Sequence, residues 1–141
     1  MEARAINIIS KQDKNLKIKI IPGHFATNHS HINYYIDMTG IKTKHNIAKI
    51  AGELLAKEYE TNTIIDTIVC MDGTEVIAAY LADRLAESGY GAMNRDETIR
   101  IITPEFNTNG QMIFRDNIQK CVWGKNILLL IASASTGKSI I

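Results

Sequence analysis

The segment Ile64–Met71 (IIDTIVCM) constrains the chain more than any other. It is short, almost wholly apolar and rich in β-branched residues, the make-up of a strand buried on both faces. Thr61–Thr63 breaks the pattern before it, and Asp72-Gly73-Thr74 turns the chain after it. Glu75–Ser88 then predicts a helix with Val76, Ala79, Tyr80 and Leu85 as its apolar side, closed by Gly89 as a C-terminal cap. A further strand is predicted at Thr98–Ile102, and another at Asn126–Ile131 (NILLLI). Apolar strands alternating with helices demand a mainly parallel sheet, because both of its faces must be covered. The predicted class is therefore α/β.

Upstream, Thr43–Tyr59 carries the clearest helical period. Ile47, Ile50, Ala51, Leu54 and Leu55 fall at i, i+3, i+4, i+7 and i+8, which predicts one buried stripe. Met1–Lys14 reads as a polar lead-in with a short apolar patch at Ile6, Ile8 and Ile9. Leu16–Ile21 alternates apolar and basic residues and predicts a strand, which Pro22-Gly23 should stop. Tyr34-Tyr35-Ile36-Asp37 has strand chemistry as well. Pro104–Gly110 reads as a polar loop, with Gln111–Phe114 pairing back as a hairpin arm. Residues 1–40 thus form a lead-in and residues 41–141 an α/β core.

Composition removes several classes of function. The chain has 141 residues, about one domain's worth, with 45% apolar and 22% charged residues, so a packed core is expected. Sixteen basic residues against fifteen acidic ones leave a net charge of +1, which argues against a nucleic-acid binder driven by charge. The longest unbroken apolar run, Val76–Ala82, is far short of the roughly 20 residues a membrane span needs. No signal-peptide pattern opens the chain. Cys70 and Cys121 lie far apart without metal-ligand spacing, which fits a reduced, cytoplasmic chain.

The densest chemistry lies in Ala132-Ser-Ala-Ser-Thr-Gly-Lys-Ser139, directly after a buried strand. Small hydroxyl residues and Gly137 leave backbone N–H groups free to cradle a phosphate. Three readings compete for it. The spacing before Gly137-Lys138-Ser139 suits a Walker A loop of an NTP-binding protein, with Ile68–Asp72 as a Walker B-like strand. That loop normally opens a domain, however, and here it is the last element. The second reading is a helix N-cap cluster without a ligand. The third is a phosphoribosyl-phosphate loop.

Three stretches favour the third. Phe25–Asp37 matches a phenylalanine, polar turn and Tyr-aromatic-aliphatic-Asp pattern. Thr67–Ala82 matches a strand, pyrophosphate loop and helix, and Trp123–Ser139 matches a Gly-Lys-strand-loop signature ending in Thr-Gly-x-Ser. On these residues, from about Gly23 onward, the chain resembles the type I phosphoribosyltransferases, most closely the orotate phosphoribosyltransferases. The resemblance implies a Rossmann-like parallel sheet flanked by helices. It implies transfer of ribose 5-phosphate from phosphoribosyl pyrophosphate to a nitrogenous base, in pyrimidine nucleotide synthesis or salvage. The phosphate cradle would be Ser133, Ala134, Ser135, Thr136, Gly137, Lys138 and Ser139. Met71, Asp72, Gly73, Thr74 and Glu75 would face the pyrophosphate, with Asp72 and Glu75 acting through Mg2+. Phe25, Tyr34 and Tyr35 would stand on the base side, and Pro104–Gly110 would be a mobile cover. A homodimer is implied too, with neither nucleic acid nor membrane as a partner.

The chain also departs from that pattern. The family's acidic pair at the end of the last strand is replaced by Ile131 and Ala132, and Lys138 stands where a glycine is usual. The loop between Thr103 and Met112 holds no lysine, so Arg100 is the nearest candidate for the catalytic cation. The polar turn offers Asn28 and His29 in place of a lysine. Loss of those charges would weaken transition-state stabilisation. A non-catalytic module that binds a sugar phosphate or nucleotide is therefore the alternative to an enzyme. The pattern also leads one to expect a helix and further strands after the phosphate loop, so that the sheet is incomplete at Ile141.

Other candidates have plainer readings. His24, His29, His31 and Asp37 fit no metal-ligand template and read as surface or base-stacking residues. Cys70 reads as core, Trp123 as an anchor for the strand entry, and Lys42, Lys44, Lys49 and Lys57 as a solvated helix face.

Overall fold

A computed structural model describes residues 6–26, 31–59, 63–87 and 98–132, with residues 20–26 and 31–35 described by backbone and strand register alone. In chain order the elements are β1 (Ile6–Ile9), β2 (Lys17–Ala26), β3 (His31–Asp37), α1 (Thr39–Thr43), α2 (His45–Ala56), β4 (Thr67–Cys70), α3 (Glu75–Glu87), β5 (Arg100–Ile102), β6 (Glu105–Phe106), β7 (Met112–Ile113), α4 (Asp116–Gln119) and β8 (Ile127–Leu130). The architecture is mixed α/β. A small parallel sheet, ordered β5-β4-β8, is flanked by helices, and an antiparallel sheet, β1-β2-β3, precedes it.

β4 is the centre of the parallel sheet, and all four of its residues are buried. Alternation sends Ile68 and Cys70 to one face, where they pack with Ala78, Leu81 and Leu85 of α3. Val69 faces the other way, against Ile102, Cys121 and the partly buried Ile118 and Val122 around α4. Ile68 and Leu81 are fully buried, each worth about 1.5–3 kcal/mol of transfer free energy. Polar groups close the amino end of the sheet. Buried Asp66 accepts the Asn126 N–H at 2.9 Å and donates its own N–H to the Asn126 carbonyl at 2.9 Å. The hydroxyl of buried Thr67 donates to the Cys121 carbonyl.

The N-terminal part departs from the sequence reading. The lead-in holds a strand, β1, because Ile6 and Ile8 stand opposite Ile20 and Ile18 in register. Pro22-Gly23 does not end β2. Pro22 lacks the N–H that a regular ladder uses, and the strand absorbs it with a register shift between Pro22 and Phe25 before pairing on to Ala26↔His31. The predicted helix Thr43–Tyr59 is found as α2, and a short additional helix, α1, precedes it, separated by the extended Lys44 (φ −84°, ψ 113°). In the loop after β5, Glu105–Phe106 pairs with Met112–Ile113, which bears out the hairpin arm and adds a strand inside the loop.

Both helix faces are shifted from their predicted positions, although Ala51 and Leu85 are buried as predicted. In α2 the buried residues are Ala48, Ala51, Gly52 and Ala56, whereas Leu55 is 37% exposed. In α3 they are Ile77, Ala78, Leu81, Ala82 and Leu85, with Val76 37% exposed. The reason is the helix–helix distance. A Cβ on Gly52 would lie 2.9 Å from the Ile77 carbonyl oxygen, the Leu81 nitrogen and the Tyr80 Cβ. Backbones that close accept only small residues between them, and the larger aliphatics move to the flanks. Trp123 is corrected as well. It is 71% exposed and anchors nothing, while Cys121, 5% exposed, holds the entry to β8.

Gly52→Ala should therefore destabilise the fold by about 1–3 kcal/mol through overpacking. Gly40→Ala, with nothing within 4 Å of the added methyl, should be neutral or slightly stabilising. Paired thermal melts of the two variants check this.

Candidate functional site at the carboxyl end of the parallel sheet

The chain leaves β4 toward β5 on one side and returns to β8 on the other. Connections that diverge from neighbouring parallel strands open a crevice at their carboxyl ends, where open α/β sheets bind ligands. In this strand order that rule points to the junction of β4 and β8. Cys70 pairs with Leu130, and the Met71 N–H donates to the Leu130 carbonyl at 2.9 Å.

The predicted loop Met71–Glu75 forms one tight turn at this point. Asp72 (φ 58°) and Gly73 (φ 74°) are both left-handed, a conformation that is unfavourable for a residue carrying a Cβ. Thr74 holds it in place. Its side chain is buried, and its hydroxyl is shared between the Met71 carbonyl at 2.9 Å and the Leu130 carbonyl at 3.2 Å. Its own carbonyl accepts the Ala78 N–H at 2.9 Å, which starts α3. Met71 is buried too, so of the five residues only Asp72, Gly73 and Glu75 are exposed to a ligand. Glu75 lies in the first turn of α3, where the helix dipole favours anions, and it accepts the Thr103 hydroxyl at 3.0 Å.

Two residues here escaped the sequence reading. Lys42, read as part of a solvated helix face, sits on α1 and donates from Nζ to the Asp72 carbonyl at 2.9 Å. Thr103, at the end of β5, tethers Glu75. No local signal marks either one, because their partners lie thirty and twenty-eight residues away. The Thr39 side chain and its backbone N–H, at 2.9 Å, hold the Asp37 carboxyl below its usual range, with Lys19 and Lys42 adding to the effect.

The remaining predicted residues divide cleanly. Arg100 is exposed and pairs with Thr67 at the amino end of the sheet, so the structure does not bring it to the turn. Ile131 and Ala132 follow β8 half-buried and offer no carboxylate. Phe25 pairs with Ile32, Tyr34 with Pro22 and Tyr35 with Ile21, which fixes their backbones on β2 and β3. Ser133 to Ser139, with Lys138, lie outside the described residues, as do His29 and Gly89. Among the described residues no group of three or more His, Cys, Asp or Glu side chains stands together, and no helix is long and apolar enough to cross a membrane.

Cys70 borders the turn and is fully buried. Burial, with a smaller contribution from the Glu75 charge, pushes its thiol up to about 11. Comparison with protein-family models and with curated proteins finds no match to this chain.

Two outcomes follow. Thr74→Val should cost about 1–3 kcal/mol by taking the hydroxyl donor from the Met71 carbonyl, with Thr74→Ser recovering most of it in denaturant melts. Cys70, fully buried and with its thiol pushed up to about 11, should resist a disulfide reagent in the folded protein and react once it is denatured.

Proposed function

We propose that the chain is a phosphoribosyltransferase-like protein that takes phosphoribosyl pyrophosphate at the carboxyl ends of β4 and β8. The observation that carries this reading is the parallel pairing of Cys70 with Leu130. It sets the exposed Asp72-Gly73 turn beside the strand that leads into the Ser/Thr/Gly segment 133–139. A diphosphate needs backbone donors and cations, and α3's amino end together with Lys42 supplies that chemistry next to the turn. The donor set suits magnesium, which takes one or two carboxylates plus substrate phosphates. Asp72 and Glu75 would hold it, and it would neutralise charge on the diphosphate. In this reading Lys42 fixes the turn, Thr103 orients Glu75, and the base stands on the side of Phe25, Tyr34 and Tyr35.

A second reading has its own observation. Where the family grips the ribose hydroxyls with an acidic pair, Ile131 and Ala132 offer only apolar side chains. The same site would then bind the sugar phosphate without transferring it.

Calorimetric titration of the chain with phosphoribosyl pyrophosphate and magnesium tests the shared claim. Measurable binding is expected, weakened about tenfold or more, roughly 1.4 kcal/mol, by Asp72→Asn combined with Glu75→Gln. Silent injections at millimolar donor would defeat both readings. Chromatography of donor and a panel of bases then separates them, because nucleotide formation supports transfer and its absence with intact binding supports the module.

A further inference from the structure

A groove of 770 Å³ lies on the other side of α1, between the antiparallel sheet and the start of α2. No residue of the 71–75 turn, and none of β5 or β8, is among the described residues that line it. Its charge is lopsided. Lys17, Lys19 and Lys44 line it against one carboxylate, Asp37. That carboxylate accepts the Thr39 N–H at 2.9 Å and stands opposite Lys19 in register.

Strand geometry accounts for the clustering. Asn7 pairs with Lys19 and Ile9 with Lys17, so Asn7, Lys17, Lys19 and Asp37 share one face of the sheet. Lys17 and Lys19 are two residues apart on β2, about 7 Å along the strand, a separation that can bracket one phosphate group. Lys44 and Asn46 approach from the helical side, and the half-buried Ile47 and Ile50 add an apolar wall. Concave surfaces lined by one sign of charge concentrate counter-ions. The volume falls within the roughly 300–1,000 Å³ typical of small-molecule sites, well above what a lone phosphate fills. The amides of Asn7, Asn15 and Asn46 can both donate to and accept from hydroxyls or ring nitrogens.

We propose that this groove is a second site, for a phosphorylated small molecule of about nucleotide size, separate from the Asp72 turn. The phosphate sits between the β2 lysines and Lys44, and the remainder lies along Ile47 and Ile50 with the asparagines reading its polar edge.

Amide NMR titration of the chain with inorganic phosphate, AMP, UMP and a short single-stranded oligonucleotide tests this. Shifts at Asn7, Lys17, Lys19 and Lys44–Ile47 are expected, with a nucleoside monophosphate binding more tightly than inorganic phosphate. Lys17→Glu combined with Lys44→Glu should weaken binding at least tenfold without moving the thermal midpoint. Asp72→Asn should leave it unchanged, which separates this site from the donor site. Shifts confined to residues 71–75, no shifts at millimolar ligand, undiminished binding by the folded double variant, or tighter binding of the oligonucleotide would each overturn it.

Discussion

Everything in this molecule is arranged around the burial of β4. A strand covered on both faces cannot send its peptide groups to water, so each must find a partner in a neighbour. Thr67–Val69 pairs with Arg100–Ile102 on one side, and Thr67–Cys70 pairs with Ile127–Leu130 on the other. At the two ends, where the ladders give out, a buried polar side chain takes over. Asp66 binds the Asn126 backbone at the amino end, and Thr74 binds the Met71 and Leu130 carbonyls at the carboxyl end. The second of these is also what fixes the turn carrying Asp72 and Gly73. The residues that finish the core are thus the residues that shape the site.

The N-terminal elements reach the same place by a different route. α1 is only five residues long, yet its Ile41 is buried in a cluster with Ala48, Ala51 and Ile77, and that burial aims Lys42 at the Asp72 carbonyl. One helical turn therefore divides the surface in two. On one side is the turn at the end of β4, and on the other is the lysine-lined groove next to Asp37. Lys42 contributes positive charge to both the Asp37 carboxyl and the turn.

The sequence disclosed the parallel core because β4, β5 and β8 are written in a code that periodicity reads directly, short apolar runs between turn signals. The same holds for the Met71–Glu75 turn, whose Asp-Gly pair announces a left-handed backbone. What stayed hidden was governed by distance in space. Ile47 and Leu55 looked like the buried stripe of α2 because hydrophobicity counts side chains and not the gap they must fill. The gap against α3 admits Ala48 and Gly52 instead, and of the predicted stripe only Ala51 is buried. β1 was illegible alone, since its four exposed residues form a strand only through pairing with β2. Arg100 was singled out for its nearness in sequence to the polar loop, but parallel register sends it to the far end of the sheet. Lys42 was the reverse case, distant in sequence and adjacent in space.

The near-contact of α2 and α3 at Gly52 has a mechanical consequence. Three backbone and Cβ atoms of α3 converge on the vacant position, so Gly52 works like a notch that accepts the ridge around Ile77–Leu81. Sliding α2 by one turn in either direction would drive the Cβ of Ala48 or Ala56 into that ridge. The alignment of the pair is therefore indexed by a missing methyl group, within the apolar contacts that Ala48, Ala51 and Ala56 make with α3. A chain that needs an Asp72 carbonyl and a Lys42 ammonium in register from separate segments obtains that alignment here, from an atom it does not have.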